Sequence, residues 1–173
     1  MKSLSAEQKQ SLQKMFGARV ALDEIECLFY SHDVGSLPSL VRPLIGNTRP
    51  AGVVQPLSEE QVVQLVAFAR TYGIPLVPRG KSTSGYGGVL PVKGGLVVDL
   101  AWMNQILDID PQTMTATVQP GVVWGHLERE LAKQDLALRT YPSSAPSSTV
   151  GGWLAQGGMG FGAYEFGYFR DNV

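Results

Sequence analysis

Residues 78–88 read Pro-Arg-Gly-Lys-Ser-Thr-Ser-Gly-Tyr-Gly-Gly and directly follow a short apolar segment, residues 74–77. Four glycines and three serine or threonine hydroxyls leave this stretch little to contribute to a core. They do allow consecutive backbone N–H groups to turn toward one anion. The alternative is an ordinary surface turn, which most Gly- and Ser-rich runs form. We predict a phosphate-binding loop and call residues 78–88 the first glycine loop.

Two common phosphate motifs do not account for this loop. Gly80-Lys81-Ser82 matches the end of a P-loop, but the glycine required five places earlier is Pro75. Gly85-Tyr86-Gly87 begins a dinucleotide fingerprint, but its third glycine position is occupied by Leu90. Residues 158–163 fit a looser form, yet we predict neither a strand before them nor a helix after them. Phosphate binding is therefore expected in a different architecture.

Composition indicates an ordinary globular chain. Its 173 residues are 44% hydrophobic and 17% charged, enough for one core or two small subdomains. A net charge of −1 argues against nucleic acid or an anionic membrane as a partner. The single cysteine, Cys27, provides neither an internal disulfide nor a metal site. A polar start and the lack of a long apolar run predict a cytoplasmic protein without a membrane span.

The first 48 residues are predicted to form an N-terminal helical arm. Residues 5–8 are a capping box that begins a helix, which ends near Phe16. Residues 18–48 are mixed in character and interrupted by proline and glycine, and we expect them to lie across the main body. His32 in this segment is expected to be structural or solvated.

The next segment has the pattern of a βαβ unit. Val53-Val54 and residues 74–77 are predicted strands. A second capping box, residues 58–61, begins the helix between them, and Gly73 ends it. The first glycine loop then leaves the carboxyl end of the second strand, where ligands bind in such sheets.

Further strands and a second loop follow. Residues 96–100 are a predicted strand, residues 106–119 a predicted antiparallel hairpin, and residues 123–134 a predicted amphipathic helix with His126 on its surface. Residues 141–152 read Tyr-Pro-Ser-Ser-Ala-Pro-Ser-Ser-Thr-Val-Gly-Gly, and we call them the second glycine loop. One loop of this kind is enough to bind a single phosphate group. Because the chain has two such loops, we predict that both bind one long polyanionic ligand.

Several short motifs in this chain occur in the order found in one known family. They are Val53 to Glu60, Gly73 to Gly80, Asp99-Leu100, Met103-Asn104, Ile109 to Pro111, Val118 to Gly121, Pro142 to Ser144, Thr149 to Gly152 and Arg170 to Val173. Together they resemble the FAD-binding domain of the vanillyl-alcohol oxidase and p-cresol methylhydroxylase superfamily. The nearest branch is the FAD-linked 2-hydroxyacid dehydrogenases, which include the flavin-binding component of glycolate oxidase and D-lactate dehydrogenase.

The resemblance implies an α+β fold with two FAD-binding subdomains of the p-cresol methylhydroxylase type. Residues 1–48 would be the arm, residues 49–110 the first subdomain and residues 111–173 the start of the second. Family members continue through further strands and a substrate domain, so the chain is expected to be truncated, with the second subdomain incomplete. Trp153 and residues 156–162 depart from the usual pattern of the family near the flavin.

The resemblance also implies the cofactor site. The first glycine loop would wrap the pyrophosphate of FAD, and the second would lie along the pyrophosphate and the flavin ring. The implied cofactor-binding residues are Arg79, Gly80, Lys81, Ser82, Thr83, Ser84, Gly85, Tyr86, Pro142, Ser143, Ser144, Ser148, Thr149, Gly151, Gly152 and Gly158. FAD is expected to be non-covalent, because Thr83 and Ser147 stand where covalently linked relatives carry histidine or cysteine. No catalytic residue and no metal site can be assigned.

The implied function is hydride transfer to FAD from a CH–OH donor, with a 2-hydroxy acid as the expected substrate class. The partners would be a small-molecule substrate of the full-length parent and an electron-acceptor protein or a second chain that completes the sheet. Turnover by the 173-residue chain alone is not expected. Two alternatives stay open: a non-catalytic nucleotide-binding or partner-completed module, and a flavoprotein like UDP-N-acetylenolpyruvoylglucosamine reductase.

Overall fold

The computed structural model describes residues 3–35, residue 38 and residues 40–173. The chain forms two compact units, the first ending at Trp102 and the second beginning at Met103. The predicted domain boundaries after residues 48 and 110 stay predictions. Among the described residues, no helix combines the length and the apolar character that crossing a membrane requires.

The described residues of unit 1 form four helices and four strands. In chain order they are α1 (Ala6–Phe16), β1 (Val20–Ala21), α2 (Glu24–Phe29), α3 (Arg42–Ile45), β2 (Gly52–Val54), α4 (Glu59–Tyr72), β3 (Leu76–Arg79) and β4 (Leu96–Asp99). Short 3-10 turns follow α1 and β4, at Gly17–Arg19 and Leu100–Trp102.

The two long helices begin at the predicted caps. The Ser5 hydroxyl accepts a hydrogen bond from the Gln8 N–H, and the Gln8 side chain accepts one from the Ser5 N–H, so the first capping box is confirmed. Ser58 caps α4 in the same way, but the Gln61 side chain accepts from the Leu57 N–H instead. The prediction of a second full capping box is therefore wrong, because the Gln61 side chain bonds to the N–H of Leu57 and not to that of Ser58.

The sheet of unit 1 has the strand order β1-β2-β4-β3. Strands β2 and β3 are both parallel to β4, which lies between them, and β1 is antiparallel to β2. The predicted βαβ unit is present, but its two strands are not neighbours. Residues 20–21, which we expected in an arm, instead supply the edge strand β1. Leu12 and Phe16 of α1 are buried in the core of this unit.

The connection between β3 and β4 is unusual for a parallel pair. Neighbouring parallel strands need a crossover connection, which is most often a helix. Here residues 80–95 make the crossover without any helix, and they include most of the first glycine loop. The loop therefore begins at the carboxyl end of β3, as predicted, and leads the chain back to the start of β4.

Unit 2 contains a hairpin and three helices. They are β5 (Ile106–Asp110), β6 (Thr115–Val118), α5 (Trp124–Ala132), α6 (Val150–Gln156) and α7 (Ala163–Phe166), followed by a 3-10 turn at Phe169–Asn172. The predicted hairpin is confirmed. The prediction that no helix follows residues 158–163 is wrong, since α7 begins there, although the element before them is α6 and not a strand.

Three aromatic rings fill the core of unit 2. Trp124 meets both Trp153 and Phe169 edge to face, with ring centroids 5.3 and 4.8 Å apart. Trp153 and Phe169 stack at 5.1 Å. Such aromatic packing adds to the burial of apolar area. Trp153, a departure from the family pattern, is therefore a core residue of this unit.

Candidate functional site

The carboxyl edge of the unit 1 sheet carries the first candidate surface. In the strand register Val54 pairs with Val98, and Arg79 pairs with Asp99, so the three parallel strands end together. A cleft of about 340 Å³ opens at this edge. It is lined by Phe29, Tyr30, Gln55, Arg79, Gly80, Lys81, Asp99, Ala101 and Trp102. Both polar and aromatic groups therefore surround the start of the first glycine loop.

Arg79, the first of the predicted cofactor residues, makes contacts with other residues of the chain. Its Nη1 donates to the His32 carbonyl at 2.9 Å and to the Tyr30 carbonyl at 3.4 Å. Its guanidinium also lies over the Tyr30 ring, 5.1 Å from the centroid. Burial lowers the pKa of Arg79 from its usual value. Arg79 thus ties the start of the loop to residues 30–32, while Lys81 is exposed.

Behind Arg79, Tyr30 and Asp99 form a polar pair at the cleft. The Tyr30 hydroxyl donates to Asp99 Oδ2 at 2.7 Å and accepts from Gln55 Nε2 at 3.3 Å. Asp99 Oδ1 accepts from the Ala101 N–H at 3.0 Å, which satisfies this buried carboxylate. Burial, and then the bond to Asp99, raise the pKa of Tyr30 to about 12. The phenol, which is neutral at physiological pH in any case, therefore stays neutral further into the alkaline range.

Within the first glycine loop, Ser82 has two features typical of a ligand-binding position. Its φ is +55°, in the left-handed region that residues with a side chain rarely adopt. Its hydroxyl is buried and has no hydrogen-bond partner among the described residues. Thr83 and Ser84 are half-buried, and the Tyr86 side chain is 96% exposed.

The second glycine loop leads directly into α6. Ser148 and Thr149 are buried just before the helix, and the Ser148 hydroxyl also lacks a partner among the described residues. The Gly151 N–H donates to the Pro120 carbonyl at 2.9 Å, and a Cβ at Gly151 would lie 2.6 Å from the Pro120 Cβ. Gly151 is thus a position at which another group approaches the backbone closely, and that group is Pro120.

Gly158, the last predicted cofactor residue, has a comparable packing role. A Cβ on Gly158 would overlap the Trp153 indole at Nε1, and one on Gly160 would lie 2.8 Å from Trp153 Cζ2. The large ring at Trp153 and the missing side chains at these glycines therefore fit together. The two departures from the family pattern therefore pack against each other, and the Tyr141 carbonyl also leaves no room for a side chain at Gly160.

The two orphaned serine hydroxyls test whether the loops fit a phosphate ligand. A buried hydroxyl without a hydrogen bond is costly, so most such groups in proteins have a partner. In the described part of the chain, only three buried side-chain polar atoms lack one: Ser82 Oγ, Ser148 Oγ and Trp124 Nε1. Two of the three lie in the glycine loops, and a phosphate oxygen would satisfy either hydroxyl. The residues present therefore fit the pyrophosphate of FAD.

Sequence reasoning missed several residues that shape this surface. Tyr30, Asp33 and Gln55 lie outside the predicted site, yet the first two contact the first glycine loop or its arginine. Asp33 had a usable signal, because Asp-x-Gly is a common turn composition. The sequence around Tyr30 carries no such signal, because the role of Tyr30 depends on contacts with Gln55 and Asp99, which are distant in sequence.

Comparisons with known proteins agree with this geometry. The model of the FAD binding domain family matches residues 50–173. Glycolate oxidase subunit GlcD of Bacillus subtilis is 36% identical over 124 residues, covering 72% of this chain and 26% of that protein. Alkyldihydroxyacetonephosphate synthase of Dictyostelium discoideum is 35% identical over 147 residues, covering 82% and 24%. The chain thus spans about a quarter of the length of these relatives.

Solved structures show the same fold. An alkyldihydroxyacetonephosphate synthase structure aligns with a TM-score of 0.84 at 30% identity, over 98% of this chain and 35% of that one. A structure of p-cresol methylhydroxylase with substrate bound aligns with a TM-score of 0.67 at 26% identity, over 82% and 27%. The predicted fold type and cofactor are confirmed. The chain belongs to the FAD binding domain family, and its cofactor is FAD.

Proposed function

We propose that this chain is the FAD-binding portion of a flavin-dependent oxidoreductase whose parent protein oxidises a small 2-hydroxy acid. The observation that carries the proposal is the pair of orphaned hydroxyls, Ser82 and Ser148, one in each glycine loop of a chain from an FAD-binding family. Similarity to a glycolate oxidase subunit and to a D-lactate dehydrogenase supports the substrate class.

Each loop would bind phosphate oxygens of FAD. In the first loop the Ser82 hydroxyl donates to a phosphate oxygen, and the exposed Lys81 supplies positive charge. In the second loop the Ser148 hydroxyl plays the same part. Bound FAD supplies the acceptor for the hydride, whereas the protein supplies binding and orientation. The remaining candidates for this site are Arg79, Gly80, Thr83, Ser84, Gly85, Tyr86, Pro142, Ser143, Ser144, Thr149, Gly151, Gly152 and Gly158.

Binding is proposed to be non-covalent. Thr83 and Ser147 cannot form the histidyl or cysteinyl links of some relatives, and the one thiol, Cys27, is buried in α2. Acid precipitation should therefore release all bound flavin into the supernatant. Yellow colour that stays with the washed precipitate would contradict this part of the proposal.

Equilibrium binding tests the central claim. The 173-residue chain is titrated into FAD while flavin fluorescence is followed. Riboflavin, which lacks both phosphates and the adenosine, is the ligand control, and adenosine is titrated separately to measure what that part contributes. Saturable FAD binding that is at least about tenfold tighter than riboflavin binding is expected, because phosphate contacts supply charge-assisted hydrogen bonds. Equal affinities, or no saturable binding of FAD, would overturn the proposal.

A second candidate parent is an alkyldihydroxyacetonephosphate synthase. The observation that favours it is coverage: the sequence match to the synthase covers 82% of this chain, whereas the GlcD match covers 72%. Anaerobic bleaching of the flavin of the full-length parent by glycolate or D-lactate would support the oxidoreductase. Formation of alkyldihydroxyacetonephosphate without such bleaching would support the synthase.

We further propose a cytoplasmic location, and a small-molecule substrate together with an electron-acceptor protein or a second chain as partners of the parent. The buried thiol of Cys27 is consistent with a reducing compartment. Fractionation of the native host, with detection of the chain in each fraction, tests the location. Recovery in a membrane or an organelle fraction would overturn it.

A further inference from the structure

Residues 30–35, which we call the clamp segment, contact the first glycine loop at its start, middle and end. The three contacts involve Arg79, Gly85 and Gly87 of the loop. The clamp segment is distant in sequence and is not a part of the predicted cofactor site. Three contacts with one loop indicate that the clamp segment fixes the conformation of that loop.

One of these contacts is made by the Asp33 carboxylate, and both of its oxygens accept hydrogen bonds from backbone N–H groups. Asp33 Oδ2 accepts from the Gly87 N–H at 2.8 Å, and Asp33 Oδ1 accepts from the Gly35 N–H at 2.9 Å. These are charge-assisted bonds, which are stronger than those between neutral groups. A carboxylate beside a loop that binds phosphate would repel the ligand if it were free. Its presence there is explained if Oδ2 fixes the loop backbone at Gly87 while Oδ1 fixes the backbone of the clamp segment at Gly35.

The other contacts fix the rest of the loop. Arg79 donates to the carbonyls of Tyr30 and His32, which attaches the start of the loop to the clamp segment. In the middle, the Gly35 and Gly85 backbones approach so closely that a Cβ on Gly35 would lie 2.5 Å from the Gly85 carbonyl oxygen. Only glycine at position 35 permits this approach.

We propose that the clamp segment holds the first glycine loop in the shape that binds the FAD pyrophosphate, with Asp33 as the main positioning residue. The inference rests on the proposed function of the loop. A loop with four glycines has many conformations, and affinity falls in proportion to the fraction of the chain in the binding shape. Holding that shape before the ligand arrives removes this loss.

Asp33→Asn is the central variant. The single amide oxygen of asparagine can accept from Gly35 or from Gly87 but not from both, and its NH₂ group opposes the remaining N–H. Asp108→Asn is the matched control, because Asp108 is exposed on β5 and the substitution removes the same charge. Gly35→Ala is a second variant that acts on the loop through packing and leaves the carboxylate in place.

Two measurements are made on each 173-residue variant. The first is the hydrogen-exchange rate of the Gly87 amide without FAD, which reports the hydrogen bond directly. The second is the dissociation constant for FAD, with the melting temperature recorded alongside. Asp33→Asn should speed Gly87 exchange and weaken FAD binding by about tenfold, the loss typical of a hydrogen bond to a charged group. Asp108→Asn should change neither quantity.

The outcomes separate this inference from the proposed function. Faster Gly87 exchange and weaker FAD binding in Asp33→Asn, in a chain that is still folded at the assay temperature, support the positioning role. FAD affinity within about twofold of the unsubstituted chain, well short of the loss of one such bond, would overturn it and leave FAD binding itself intact. If Asp33→Asn does not fold, Gly35→Ala decides by the same two readings. Failure of the unsubstituted chain to bind FAD would overturn the proposed function, and this inference with it.

Discussion

Ser82 and Ser148 are the two residues whose structural features point most directly to a bound ligand. Each hydroxyl is buried without a partner among the described residues, which costs about 1–3 kcal/mol per group. Ser82 adds the strain of its positive φ. Hydroxyl-rich loops can be predicted from composition, but the sequence does not show which hydroxyl becomes buried, because that depends on packing around each loop.

Replacing either serine should separate stability from binding. In Ser82→Ala or Ser148→Ala the chain without FAD should be as stable as before or slightly more stable, because an unsatisfied polar group is removed. FAD affinity should fall by about tenfold or more, the loss of one hydrogen bond to a charged phosphate. Thermal melts and FAD titrations measure the two effects. Ser3→Ala, at an exposed position outside both glycine loops, should change neither.

Tyr30 should make stability fall at alkaline pH. The folded state favours the neutral phenol, since its pKa is raised from 10 to about 12. This contribution is complete below pH 10 and is lost as the pH rises through about 12. Because the side chain is only half-buried, we expect a loss of about 1 kcal/mol, less than the full shift would give.

Urea unfolding on either side of that pH interval provides the measurement. Tyr30→Phe should lack the alkaline loss, whereas Tyr164→Phe, which removes a fully exposed tyrosine, should retain it. The same alkaline loss in Tyr30→Phe as in the unsubstituted chain would contradict the assignment.

At the scale of elements, the sequence predicted those helix starts and strands that depend on neighbouring residues alone. Caps at Ser5 and Ser58 mark where α1 and α4 begin, and alternation marks the β5/β6 hairpin. Strand β1 was missed because two residues carry no periodicity. The place of β4 between β2 and β3 was missed because strand order follows from tertiary pairing.

Since α1 packs into the core, it should be necessary for the stability of unit 1. Leu12→Ala should lower the free energy of unfolding by about 2–5 kcal/mol, because Leu12 is fully buried and a cavity would remain. Leu44→Ala, at a side chain that is 85% exposed in α3, is the control and should have little effect. Denaturant melts compare the two. Equal effects would mean that α1 lies apart from the core.

At the scale of the whole molecule, each unit has its own core and contributes one glycine loop. The cores centre on Leu12, Val54 and Leu96 in unit 1 and on the Trp124, Trp153 and Phe169 rings in unit 2. The family could be predicted from ordered motifs. The division after Trp102 could not, since it depends on contacts that no local pattern shows.

The 173-residue chain alone should bind FAD without turning over substrate. Oxidation of a 2-hydroxy acid needs a group that takes the hydroxyl proton in a tightly held geometry. His32 and His126 both lie outside the glycine loops, and His126 pairs with Glu130 on the surface of α5. Anaerobic mixing of the FAD-loaded chain with D-lactate or glycolate should leave the flavin spectrum unchanged. Bleaching by either acid would show a complete active site.

The helix-free crossover between β3 and β4 also limits how the chain could be rearranged. Residues 80–95 are the covalent tether of two parallel neighbours as well as a ligand loop. Opening the chain there, as in a circular permutation, would raise the entropy lost in pairing the strands and would divide the phosphate site. The turn between β5 and β6 neither connects parallel strands nor belongs to a glycine loop. New chain ends placed in residues 111–114 would therefore leave both the parallel sheet and the loops intact.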